Sequence, residues 1–309
     1  MIYLLWIDAS HWNILDILAL KQYGVGGIIG KASSGNYSID ARYVETQIGC
    51  STFQMPTASY HWNDPLNTAR SQADKFLATI EPWLNSQLFL MIDQEQWWAN
   101  WAEWNAARRG LIPWSEVDRL PSSRINDTCQ ELLAILKAET GKKVGIYSNG
   151  FFVLEWCPEM LGWIDQEYQW WSQYPYNKTV VSTTWSDLIQ YYLPPTNEPS
   201  FPSAWPIEQN FDIWQFSGDK FILPGCVGPV DLNYVKPVFL GEVLPVPLPY
   251  PANIYIPSTI NIRINPWQLD WGSTKTGKTV PVLAEKKDSD GKSWYQIPAW
   301  VAGWLVKPK

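Results

Sequence analysis

The chain has 309 residues, 46% of them apolar, and a net charge of −7, room for one large domain plus a small one, or two medium ones. That acidic balance excludes a nucleic-acid-binding module, which would be strongly basic, and no apolar run reaches the length of a membrane span. Twenty-one residues are tryptophan, crowded at Trp97, Trp98, Trp101 and Trp104 and again at Trp170 and Trp171; such rings fill cores and also stack on flat amphipathic ligands.

In chain order, Met1–Asp8 is a short apolar run ending in an acid, read as a buried strand. Ile14–Tyr23 has helical spacing and stops at Gly24. Val25–Lys31 is a second strand, Ala41–Ile48 a helix, Thr57–His61 a third strand and Asn67–Ile80 a helix with a polar start. Leu88–Ile92 is a strand running into Asp93 and Glu95. Arg124–Glu139 is an amphipathic helix ending before Gly141, and Lys143–Tyr147 the next strand. Tyr168–Tyr174 and Ile213–Phe216 are later strands. Strands and helices alternating at this rhythm predict βα units and a mostly parallel sheet, closed or nearly closed into a barrel.

Composition changes between Val243 and Pro257, where Pro245, Pro247, Pro249, Pro251 and Pro257 alternate with apolar residues. Such a stretch is extended and semi-rigid, so it reads as a linker. The expected organisation is thus a barrel over residues 1–242, a linker over 243–257 and a small domain over 258–309. Beyond the linker only short β-type runs occur (Ile260–Ile264, Thr279–Leu283, Ser293–Ile297, Ala302–Val306), which predicts a small all-β barrel. Residues 252–309 carry 8 Lys and Arg against 4 Asp and Glu, a net +4 on an otherwise acidic chain, and a basic tail would help approach an anionic polymer.

Cys50, Cys129, Cys157 and Cys226 are scattered without CxxC spacing and read as free thiols rather than a zinc or redox motif. Met1–Ser10 lacks a basic start, a long apolar stretch and a small-residue cleavage site. The expectation is synthesis in the cytoplasm, with release or export by another route.

The most informative segment is Phe89-Leu90-Met91-Ile92-Asp93-Gln94-Glu95. Residues i and i+2 of a strand share a face, so Asp93 and Glu95 project together, at the strand end where barrel sites lie. Burying two acids is expensive unless something uses them. Crowding raises the pKa of one while the other stays ionised, which leaves a proton donor near neutral pH. Glycoside hydrolysis needs that pairing, because the leaving oxygen must be protonated as an oxocarbenium-like charge develops. The competing reading makes both acids part of a solvated turn. Asp8 closes the first strand and Asp231 follows Gly228-Pro229; plain alternatives are a helix cap for Asp8 and a turn acid for Asp231. Asp212 ranks lower. His61, in Tyr60-His61-Trp62, lines a cleft or is a structural histidine, and with His11 it cannot form a metal site alone. A triad of Asp8, Ser10 and His11 lacks a nucleophile-elbow pattern.

Together these segments resemble glycoside hydrolase family 25, the lysozymes of bacteria, fungi and bacteriophages. The marks are Asp8-Ala9-Ser10-His11-Trp12-Asn13, Gly30-Lys31-Ala32-Ser33, Tyr60-His61-Trp62, Ile92-Asp93-Gln94-Glu95, Gly145-Ile146-Tyr147-Ser148, Trp170 to Tyr174, Trp214-Gln215-Phe216, and Pro224-Gly225 with Val230-Asp231-Leu232-Asn233, in family order over residues 1–240. The resemblance implies an α/β fold, a TIM-like (β/α)5β3 barrel, hydrolysing the β-1,4 bond after N-acetylmuramic acid. It implies Glu95 as general acid/base, and Asp93 as nucleophile or as the group steadying the substrate's acetamido oxygen. Asp8 and Asp231 complete the acid ring, and Tyr60, His61, Tyr147, Trp171 and Gln215 line the substrate. No cofactor or metal is implied. Trp97–Leu120 and Pro175–Pro206 depart from the family pattern as loops that could reshape the cleft. Ile260-Asn261-Ile262-Arg263, Trp294-Tyr295 and Gly303-Trp304-Leu305 resemble bacterial SH3-like wall-binding domains. The expected partner is peptidoglycan, with the glycan in the barrel and wall peptide or glycan at the tail, and the expected state is a monomer. A phage endolysin or bacterial autolysin fits this plan; a non-catalytic carbohydrate-binding barrel and a hydrolase of a chitin-like polymer are the alternatives.

Overall fold

A computed structural model describes residues 5–174 and 211–240 and, further on, the strands that lie between residues 253 and 308. The chain divides into two compact units, Met1–Glu242 and Val243–Lys309.

In the first unit, eight strands form a closed ring: β1 (Leu5–Ala9), β2 (Gly27–Ser34), β3 (Thr57–Trp62), β4 (Gln87–Asp93), β5 (Val144–Ser148), β6 (Tyr168–Ser172), β7 (Ile213–Phe221) and β8 (Val230–Val235). Neighbours from β1 to β7 pair in parallel. The last strand, β8, runs antiparallel to both β7 and β1 and so closes the ring. Helices α1 (Ile17–Tyr23), α2 (Tyr43–Thr52), α3 (Ala69–Ile80), α4 (Trp101–Arg108), α5 (Ser122–Thr140) and α6 (Gly150–Trp156) lie in the connections after the first five strands.

The local sequence explains the helix ends. Both α1 and α5 stop at glycines in the left-handed region, Gly24 (φ 99°) and Gly141 (φ 61°), where a side chain would be strained. At its other end α1 begins later than its apolar spacing predicts. Asp16 is extended and accepts the Ala19 amide at 3.0 Å, an N-cap, while Ile14–Leu15 pairs antiparallel with Cys226–Val227. A capping acid thus overrode the periodicity that reached back to Ile14.

Period-2 alternation sorts the strand residues into two cores. Trp6, Ile29, Ala58, Phe89, Met91, Trp170, Ile213 and Val235 fill the lower interior, and Phe239 from the helical turn Pro237–Leu240 joins them. Leu5, Ile7, Ile28, Leu90, Ile92 and Ile146 face outward onto Leu20, Phe76, Leu132 and Leu136 of the helices. The interior is a packed plug, so a ligand can enter only at the mouth.

In the second unit the described pairings are all antiparallel. Asn253–Ile256 pairs with Lys278–Pro281 and Lys307–Pro308; Ile260–Arg263, Asp270–Thr274, Ala284–Lys287, Ser293–Gln296 and Trp300–Ala302 form a second sheet. Asn253–Ile256 falls inside the stretch read from sequence as linker. Its apolar alternation supports pairing, and prolines flank it at Pro251 and Pro257, outside the bonded residues. The linker residues 243–252, and the loop expected over Pro175–Pro206, lie outside the described residues.

The plug tolerates little added volume. A Cβ at Gly27 would come within 2.5 Å of the Trp6 ring, and Trp6 is 1% exposed. Gly27→Ala is therefore expected to destabilise the first unit by about 1–3 kcal/mol, as overpacking does, measured by urea denaturation. An unchanged midpoint would show that the plug can shift to accommodate a methyl group.

Candidate active site

The mouth of the barrel is built from the inward positions above the plug. On β1 and β8, Asp8 and Asp231 are register partners, and β4 ends at Asp93 beside Trp62 of β3 and Tyr147 of β5. Glu95, half-buried, follows two residues on. The four acids expected from sequence share one cluster: the charges of Asp8, Asp93 and Asp231 all act on the Tyr60 hydroxyl, and those of Glu95, Asp93 and Asp8 act on Tyr147. Burial, assisted by these charges, pushes both phenols well above their ordinary pKa, so they remain hydrogen-bond donors.

A polar network fixes the Asp8 side. Gln215 Oε1 accepts from the Tyr147 hydroxyl at 2.9 Å and from the Tyr174 hydroxyl at 3.0 Å. That orients the amide, so Gln215 Nε2 donates to Asp8 Oδ2 at 2.9 Å. Asn233 Nδ2 donates to the same oxygen at 2.8 Å, and Asn233 Oδ1 accepts from Trp170 Nε1 at 2.8 Å. Two amide donors on one oxygen make a buried carboxylate tolerable at this depth. The network is rigid because each amide is held at both ends.

Asp93 differs. It is buried, and its Oδ1 has no hydrogen-bond partner among the described residues. Burial first, then the charges of Glu95 and Asp8, raise its pKa well above the ordinary carboxylate value, while Lys31 opposes them. Lys31 stands at the same mouth, its ammonium 4.8 Å from the Trp62 ring centre and 5.8 Å from that of Tyr60. The Asp93–Glu95 pair therefore holds a proton well above the pH at which a free carboxyl loses it.

Two residues expected to line substrate do not reach the mouth. His61 is fully buried on the helix-facing side of β3. Its Nε2 donates to Gln72 Oε1 at 3.2 Å, its Nδ1 accepts from Ser33 Oγ at 2.9 Å, and its ring lies 5.3 Å from Phe76. Burial lowers its pKa to about 4, so the ring is neutral, a structural histidine. Trp171 packs in the same outer core, with Nε1 donating to Gln169 Oε1 at 2.8 Å. In both cases the inward residue is a sequence neighbour: Tyr60 and Trp62 flank His61, and Trp170 precedes Trp171. Tyr60, Tyr147 and Gln215 do face the cleft.

Asp8 is not a helix cap, since Asp16 fills that role. Asp212 sits at the opposite end of the barrel, accepting from the Gln169 amide at 2.9 Å. His11 pairs with Asp40 at 3.0 Å, so it forms no triad with Asp8 and Ser10. All four cysteines are free, and among the described residues no cluster of His, Cys, Asp and Glu could hold a metal. Asn233, Lys31, Trp62 and Tyr174 were not assigned from sequence. Alternation could have found Asn233, two residues from Asp231; Lys31 and Trp62 needed the closed ring.

Residues 7–225 match the profile of glycosyl hydrolases family 25, and the chain belongs to that family. It is therefore a glycoside hydrolase. Asp231 and Asn233 lie just beyond the matched residues and join the site through the β8–β1 pairing. No curated protein matches the sequence. Among solved structures, the catalytic domain of endolysin ply40 from bacteriophage P40 of Listeria monocytogenes is 20% identical, with a TM-score of 0.54 over 78% of this chain and 96% of that one. The bacterial lysozyme from Streptomyces coelicolor is 20% identical, with a TM-score of 0.55 over 75% and 92%. A family 25 glycosyl hydrolase from Bacillus anthracis is 16% identical, with a TM-score of 0.52 over 75% and 88%. At these identities the likeness is one of fold.

The raised Asp93 pKa has a consequence for stability. The folded state holds that proton more tightly than the unfolded chain, whose carboxyl titrates near pH 4. The contribution is present below about pH 4 and lost as pH rises through the folded value. Asp93→Asn removes the buried charge, so the variant should melt above wild type by a margin that grows from pH 4 to pH 8. A thermal melting series checks this, and a variant less stable at pH 8 would contradict it.

Proposed function

We propose that the barrel mouth cleaves the β-1,4 bond between N-acetylmuramic acid and N-acetylglucosamine in peptidoglycan, with Glu95 as general acid/base. The observation that carries this reading is the convergence of Asp8, Asp93, Glu95 and Asp231 at one mouth, with a buried Asp93 oxygen that has no donor among the described residues. Glu95 is the more exposed member of its pair and the better placed to meet a leaving oxygen. An acetamido N–H of the substrate would supply a donor to this Asp93 oxygen. That bond favours the ionised aspartate, so the shared proton passes to Glu95 on binding. Glu95 then protonates the glycosidic oxygen, while ionised Asp93 steadies the acetamido group as its oxygen approaches the anomeric carbon. Lys31, Tyr60 and Tyr147 hold the acids and the sugar in place from the rim.

The closed ring of strands fits the (β/α)5β3 description. The tail fits an SH3-like module that holds wall peptide or glycan, its strands antiparallel and its charge positive. This plan suits a phage endolysin or a bacterial autolysin.

Glu95→Gln should leave the fold intact and lower turnover by roughly 10²–10⁴-fold, the value of general acid–base help. The readout is mass spectrometry of digested peptidoglycan: new reducing-end muramic acid from wild type alone supports the role, and equal cleavage by the variant removes it. Deleting residues 252–309 should weaken sedimentation with isolated walls while leaving cleavage of short soluble fragments within about twofold, since uniform binding is lost rather than transition-state contact. Equal loss on both substrates would make the tail a structural part of the barrel.

A further inference from the structure

Directly after Glu95 the chain leaves the barrel as an insertion, Trp97–Leu120, pinned at its neck. Leu120 N donates to Trp97 O at 2.8 Å, Ala99 N donates to Asp118 O at 2.9 Å, and Trp98 bridges to Arg119. Within it α4 presents Trp101 and Trp104, and a turn at Trp114–Glu116 presents Trp114. Between this insertion and α6 lies a cavity of about 320 Å³ lined by Trp97, Trp104, Trp114, Arg119, Glu155 and Trp156. The barrel reaction described above uses none of these residues.

The walls are held in place. Trp97 stacks on Trp156 at 4.3 Å and 10°, and the Arg119 guanidinium lies 4.7 Å from the Trp156 ring centre. Trp104 stacks on Trp98 at 4.5 Å. Trp114, by contrast, is 48% exposed and only tilted against Trp97. Trp101, 61% exposed, stacks on Trp104 at 4.9 Å, so Trp101, Trp104 and Trp114 make a grouped apolar surface rather than an isolated ring, the kind of patch that marks an interaction site. The volume is at the small end for ligand sites, enough for one ring. Indole faces offer flat apolar contact, while Arg119 and Glu155 add donors and acceptors at the edge.

We infer that this cavity is an accessory subsite for one acetamido-sugar ring of the same glycan strand, beyond the bond cleaved. The inference rests on the peptidoglycan reading above. Proximity to the cleft selects the occupant. One residue, Gln96, separates Glu95 from Trp97, so their Cα atoms are at most about 7 Å apart along the chain, roughly the advance of one or two sugar units. Trp98 also touches Trp62 at the mouth, with ring centres 6.3 Å apart. Trp98 in turn stacks on Trp104 of the cavity wall, so a line of indoles runs from the mouth to the cavity. The subsite would favour long strands over short ones without altering the chemical step.

The test compares wild type, Trp114→Ala and Trp114→Phe on peptide-free glycan oligomers of defined length and on matched peptide-bearing ones. Binding is read by calorimetry in a Glu95→Gln background and cleavage by KM and kcat in the native one. Trp114→Ala should weaken binding and raise KM for long oligomers by about five- to tenfold, the size of one truncated aromatic contact. Trp114→Phe should retain most of the affinity, and kcat and the shortest substrates should be unaffected. Length-independent constants in Trp114→Ala would overturn the inference. So would equal losses on every substrate, which indicate a structural role, or an effect confined to peptide-bearing strands, which assigns the cavity to the stem peptide. Calorimetric binding without glycan cleavage by wild type would instead fault the hydrolase reading and leave the subsite standing.

Discussion

Everything at the site depends on the closure of one sheet. β1 pairs in parallel with β2 on one side and antiparallel with β8 on the other. Closure leaves the ring without an open edge, and it turns the period of two into a partition between a helix-covered outside and a sealed inside. Each inward residue then has only two environments, the apolar plug below or the open mouth above. Trp6, Phe89, Met91, Trp170 and Phe239 occupy the first; Asp8, Lys31, Tyr60, Asp93, Tyr147 and Gln215 belong to the second. The acids are together because the strands that carry them end together.

The two halves of the mouth are electrostatically unlike. The Asp8 half is satisfied: Gln215 and Asn233 donate to a single oxygen, and tyrosine hydroxyls and an indole hold those amides. On the other side, one buried Asp93 oxygen has no partner among the described residues, and a neighbouring acid raises its pKa. A preorganised half positions a ligand, and an underbonded half changes protonation when a ligand supplies a donor. On the proposed reading, that asymmetry gives different work to acids of the same type.

Much of this was legible in the chain. The apolar run ending in Asp93-Gln94-Glu95 located the acid pair, since strand alternation and the cost of burying charge are local arguments. Gly24 and Gly141 marked helix ends because a left-handed residue is a local requirement. The outcome was less good where the reading depended on facing. His61 and Trp171 lie beside true mouth residues in sequence yet belong to the helix-facing core. A one-residue offset reverses the face, and a histidine between two aromatics gives no sign of which side the ring joins until α3 supplies Gln72 and Phe76.

By itself, the sequence determined the first seven strands of the ring and most of its longer helices, where the acids would lie along them, and the family, because these follow from short-range periodicity and a run of motifs in order. Only the tertiary structure decided which neighbour of each pair faces inward, that Asn233 and Gln215 converge on Asp8 from 225 and 207 residues away, and that Trp97 stacks on Trp156 in the wall of an open cavity. Those depend on closure of the ring and on helix packing, which join residues whose separation along the chain carries no trace of their contact.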